Sequence, residues 1–216
     1  MKEMHPATAA LHAEAARLFR PLAGEPNPFT PVSDWRGGAD EISLDGFESE
    51  ADISAKVLSR LDPWFEVSPQ VHGRHYTGVD CYVDAVIRPR DPQAWHNPNI
   101  AMGIEFKRSA QGSRKDITSW VAQSIDYAYI EWDGFGRIPV FMCPNPFPSR
   151  RSLKDPLDPL GFFVDGLLAQ FSVGYVALYR GYGLSLVLQG THKIWSERYG
   201  VREGRNWSLH KRVGSR

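Results

Sequence analysis

The chain has 216 residues, 42% hydrophobic and 23% charged, which suits one globular domain with an elaboration and a core of useful size. Lys plus Arg and Asp plus Glu both number 25, so the formal net charge is zero. A protein that coats long nucleic acid without sequence preference is usually basic, so phosphate binding here must be local or lean on a metal.

The two cysteines, Cys81 and Cys143, have no C-x-x-C partner, which excludes a zinc ribbon or an all-cysteine iron–sulfur centre. Both lie in apolar, strand-like runs and could pair only on adjacent strands. Free thiols in a reducing cytosol are the simpler expectation. No apolar run approaches the ~20 residues that span a bilayer, and the N-terminus lacks a signal-peptide pattern. A cytoplasmic protein without a membrane partner is expected.

In chain order, residues 7–20 read as a helix, with Leu11, Ala15, Leu18, Phe19 and Leu22 on one stripe. Pro21, Pro26, Pro28 and Pro31 break any regular element beyond it, so 1–35 is expected to be an N-terminal helical arm. A second helix is predicted over about 47–61, where Glu50, Ile53, Val57, Leu58 and Leu61 share a face and Asp62-Pro63 ends the run. Residues 65–71 read as an edge-like strand because they contain Pro69. Residues 79–88 form the next strand, and a connection over 89–99 leads to a third.

That third strand carries Ile104-Glu105-Phe106-Lys107. Alternation puts Glu105 and Lys107 on one face, and Ile100, Met102, Ile104 and Phe106 on the core face. Ala101 and Gly103 are expected to leave open space on the Glu105 face. Gly112–Asp116 reads as a loop with Asp116 capping a helix through about 130. Trp120, Gln123, Ser124 and Tyr127 share one side of that helix, and Val121, Ile125, Ala128 and Tyr129 another. A short buried strand comes next over 138–143, then a Pro-rich loop over 144–159 and a helix over 162–171. Strands over 173–179 and 184–188 are joined by a Gly-containing turn, and 201–216 is a basic tail. The domain is placed at 36–200.

Asp84 sits mid-strand between apolar neighbours, where burial demands a partner, whereas Asp80 looks like a strand-start residue. Two carboxylates and a lysine on adjacent strands, Asp84, Glu105 and Lys107, suit a hard divalent cation with a water beside it. His72 and His75 form H-x-x-H with His96 further on, which falls short of the fixed three or four ligands zinc needs.

Val83-Asp84, followed after 20 residues by Glu105-Phe106-Lys107, resembles the D…ExK signature of the PD-(D/E)xK nuclease superfamily. The predicted order of helix, three strands, helix and strand over 47–143 is similar to its core. Gln123-Ser124-Ile125-Asp126-Tyr127 resembles the Q-x-x-x-Y motif of the RecB-like and lambda-exonuclease-like branch, and Glu50 resembles the acid on the helix before the first core strand. Val83 stands where many members have Pro, and the cysteines of the iron–sulfur members are missing.

The resemblance implies an α/β, restriction-endonuclease-like sandwich with a central mixed β-sheet flanked by helices. It implies Mg²⁺ or Mn²⁺ on Asp84, Glu105, the Phe106 carbonyl and Glu50, with Lys107 and Gln123 serving catalysis. Tyr127, Arg108, Arg114 and Lys115 would then meet the substrate, nucleic acid and in the first instance DNA. Homo-oligomer formation stays open. The rival expectations are a catalytically inactive nucleic-acid- or protein-binding module on the same fold, and an inhibitor or assembly factor working through 1–35 and 144–159.

Overall fold

The structure, a computed structural model, describes residues 41–42, 44, 47–95, 97–108, 114–145, 168, 171–188 and 192–201. The expected arm at 1–35, nearly all of 144–159 and 162–171, His96 and all but the first residue of the basic tail lie outside the described residues. The elements are β1 (Glu41–Ile42), α1 (Glu50–Leu61), β2 (Phe65–His75), β3 (Asp80–Pro89), β4 (Met102–Phe106), α2 (Arg114–Asp126), β5 (Ile130–Trp132), β6 (Val140–Cys143), β7 (Val173–Tyr179), β8 (Gly183–Leu188), β9 (His192–Ser196) and β10 (Gly200–Val201).

Helix α1 begins at Glu50, three residues later than its apolar period suggests, because Ser49 caps it. The Ser49 hydroxyl accepts the Asp52 N–H at 3.1 Å, and Glu50 and Asp52 place negative charge at the positive end of the helix dipole. Ile53, Val57 and Leu61 recur every fourth residue and are fully buried. Each contributes about 1.5–3 kcal/mol by leaving water. Arg60 is also buried and forms a two-pronged ion pair with both oxygens of Glu197, whose Oε2 also accepts the Leu184 N–H.

The strands form one mixed sheet in the order β10-β9-β8-β7-β6-β4-β3-β2-β5, with β1 beside β7. β3 runs antiparallel to both β2 and β4, whereas β4 is parallel to β6 and β6 to β7. A parallel step needs a crossover, and α2 lies in the one between β4 and β6. Side chains of β6 alternate between faces. Phe141 and Cys143 join Ile53, Val57, Leu61, Met102, Ile104 and Phe106 beneath α1, while Met142 joins Trp120, Val121, Val173 and Tyr175 beneath α2. The result is a mixed α/β fold with a helix on each face of its central strands.

Several expectations need correction. All five residues of β4 are buried, and the space beside Gly103 is filled: a Cβ there would lie 3.3 Å from Val140 and 3.4 Å from Val83. The strand is central, so both of its faces are covered. Helix α2 starts at Arg114, so Asp116 lies in its first turn and is not its cap. β2 runs on to His75, so His72 and His75 are strand residues. Beyond β2, β5 pairs only with Gly73–His75, which leaves Pro69 with a sheet neighbour on one side, as its missing N–H requires. Cys81 and Cys143 are free, and β4 lies between their strands. Among the described residues no helix is long and apolar enough to cross a membrane.

Candidate active site

The β3–β4 ladder pairs Ile87 with Met102, Val86 with Gly103 and Ala85 with Ile104. One step further along the same register, Asp84 faces Glu105. Asp84 closes this end of the ladder with its side chain, its Oδ2 accepting the Phe106 N–H at 2.8 Å. The strand thereby orients the carboxylate through a backbone donor.

Glu105 is only 4% exposed. Its Oε1 accepts from Lys107 Nζ at 2.8 Å and from Gln123 Nε2 at 3.3 Å. Gln123 Nε2 also donates to the Tyr127 hydroxyl at 2.8 Å, which in turn donates to the Tyr82 carbonyl at 3.1 Å. Gln123 and Tyr127 stand one helical turn apart, so both point down onto the end of β3 and β4. At the mouth of the site, Glu50 opens α1, and its Oε1 accepts the Arg108 N–H at 3.3 Å just past β4.

The electrostatics of the cluster pull in two directions. Burial pushes the Glu105 carboxyl above the usual range, the Lys107 contact opposes it, and the charges of Asp84 and Glu50 add to the rise. Burial pulls Lys107 down, but its hydrogen bond to Glu105 and the charges of Glu105, Glu50 and Asp84 outweigh it, so the ammonium titrates above its ordinary value. Glu105 carries the direct contact to Lys107, and Asp84 and Glu50 add negative charge nearby that a further cation would offset.

Asp84, Glu105, Lys107, Gln123 and Glu50 are brought together. Asp80, the alternative to Asp84, is exposed and lies 3.4 Å from His72 Nε2, away from this cluster. Tyr127 is buried and engaged at both its donor and acceptor sides, so it braces Gln123 instead of presenting a face to substrate. Its hydroxyl titrates well above the ordinary tyrosine range, chiefly through burial and then through Glu105. Arg108 is exposed beside the site. The side chains of Arg114 and Lys115 lie outside the described residues. The histidines do not converge: His72 Nδ1 contacts Asp133 at 2.8 Å, and His75 Nδ1 contacts Thr77 at 2.7 Å. One partner went unread in the sequence. Gln70 donates to Asp84 Oδ1 at 3.3 Å, a contact between two strands that no local pattern in the sequence announces.

Among the described residues no three His, Cys, Asp or Glu side chains converge closely enough to hold a metal ion. The oxygen-only pair of Asp84 and Glu105 still fits Mg²⁺, which is commonly held by one or two carboxylates and completes its shell with water and substrate phosphate. No family model, curated protein or solved structure matches the chain.

Proposed function

We propose that the chain is a metal-dependent nuclease of the PD-(D/E)xK kind, built on a restriction-endonuclease-like sandwich and hydrolysing phosphodiester bonds, in the first instance in DNA. The observation that carries the reading is the cluster at the ends of β3 and β4, where Asp84 accepts the Phe106 N–H while Lys107 and Gln123 donate to the same Glu105 oxygen. The order α1, β2, β3, β4, α2, β6, with β5 as a short addition at the sheet edge, supports it.

Asp84, Glu105 and the Phe106 carbonyl would hold Mg²⁺ or Mn²⁺, with Glu50 at the entrance. Bound there, the ion would polarise a phosphoryl oxygen and lower the pKa of an attacking water. Lys107 offsets negative charge as it develops on the phosphate, and is kept protonated by the surrounding carboxylates. Gln123 fixes the Glu105 carboxylate, and Tyr127 fixes Gln123. Arg108, just beyond the strand end, is placed to meet the polyanion.

The test is cleavage of supercoiled, linear and single-stranded DNA with Mg²⁺ or Mn²⁺. The expected result is loss of activity by about a hundredfold or more in Asp84→Ala, Glu105→Ala and Lys107→Ala. A triple variant that cuts as fast as the wild type refutes the proposal.

A further inference from the structure

Between Val67 and Val71 the β2 strand changes faces. Val67 packs against the α1 cluster with Ile87, while Val71 joins Val83 in the cluster on the other face. Residues four apart on a regular strand share a face, so the strand is re-aimed between them. The re-aiming residue is Gln70, whose φ of 48° lies in the left-handed region that a side chain with a Cβ rarely adopts. Register is kept on both sides: Pro69 pairs with Ala85 and Val71 with Val83, leaving Gln70 and Asp84 opposite each other between them. On β3 the same irregularity shows as Val83 and Val86, three apart, in one cluster with Asp84 between.

This distortion has a local consequence. The Gln70 carboxamide donates to Asp84 Oδ1 at 3.3 Å, while the Phe106 N–H holds Oδ2 at 2.8 Å. The two donors come from the strands on either side of β3, so the carboxylate is fixed from both flanks. An exposed glutamine in the middle of a strand has other conformations open to it at lower cost. Local backbone strain of this kind tends to persist where a site over-determines it. Kinks beside active sites also re-aim side chains.

We infer that Gln70 is a positioning residue that orients the Asp84 carboxylate for cation binding, an inference that rests on the metal-site reading above. Glycine and asparagine adopt left-handed backbone more readily than glutamine does, and neither reaches Asp84: glycine has no side chain, and asparagine is one methylene short of a contact already at the long end. Gln70→Gly and Gln70→Asn therefore separate the backbone from the carboxamide.

The experiment is Mn²⁺ titration by calorimetry, alongside thermal melting of the metal-free protein, on wild type, both Gln70 variants and Asp84→Ala. The expected result is a melting temperature equal to or above wild type in both Gln70 variants, with Mn²⁺ bound about tenfold more weakly, the low end for partners that orient a ligand. Affinity unchanged in both variants but lost in Asp84→Ala overturns the role of Gln70 and leaves the site reading standing. Affinity and melting temperature falling together assign Gln70 to structure alone and also overturn it. Wild-type protein that binds no Mn²⁺, or binds it as well after Asp84→Ala, overturns the site reading and this inference with it.

Discussion

Replacing Lys107 by Met removes the ammonium that Glu105 contacts at 2.8 Å while keeping most of the apolar stem of the side chain. The Glu105 side chain is 5% exposed, so the stranded carboxylate cannot recover its hydration. Its escape is to take up a proton, which sets a ceiling on the loss. Holding a carboxyl of ordinary pKa 4.5 in its neutral form at pH 7.5 costs about 4 kcal/mol, and at pH 5 about 0.7 kcal/mol. Lys107 is itself 29% exposed, so water already shares its work, and a loss of about 2 kcal/mol at pH 7.5 is expected. The sign comes from linkage. The Glu105 pKa is raised by burial, then by Asp84 and Glu50, and losing Lys107 raises it further. A carboxyl raised in the folded state leaves stability intact below the unfolded pKa and drains it as pH climbs through the folded value. Urea denaturation of both proteins in EDTA at pH 5 and pH 7.5 reads the difference. A deficit in Lys107→Met that is the same at both pH values would rule out the unpaired charge as the cause and locate the loss in packing.

Three further outcomes are expected. Arg60→Leu strands the buried Glu197 carboxylate and lowers stability by about 3–5 kcal/mol; adding Glu197→Gln, which keeps an acceptor for the Leu184 N–H, recovers most of that in urea titrations. Gly174→Ala would place a Cβ 2.4 Å from the Val187 carbonyl and 2.6 Å from the Phe141 ring, so the melting temperature falls by the equivalent of about 1–3 kcal/mol. Tyr127→Phe removes the bond to the Tyr82 carbonyl and the acceptor for Gln123, lowering stability by about 1 kcal/mol in denaturant.

What could be read from the sequence was the chemistry that is close together along it. Glu105 and Lys107 meet because two residues on one strand share a face, and Gln123 and Tyr127 meet because four residues make one helical turn. The strands at β2, β3, β4, β7 and β8 announced themselves through apolar runs of ordinary length, and α1 through its period. β5, β9 and β10 did not, being two to five residues long and defined by what they pair with. Arg60 and Glu197, 137 positions apart, carry no mutual signal at all.

The case of Asp84 shows why local pattern has a limit even inside a strand. Alternation alone would give Val83 and Val86 opposite faces, yet both enter the same cluster, so parity cannot say where Asp84 points. That direction is set by the neighbouring strands, through the left-handed Gln70 and the Phe106 N–H. An acid whose aim depends on two other strands is held where the fold as a whole puts it. Its orientation therefore responds to changes at Gln70 that leave the D…ExK residues themselves untouched.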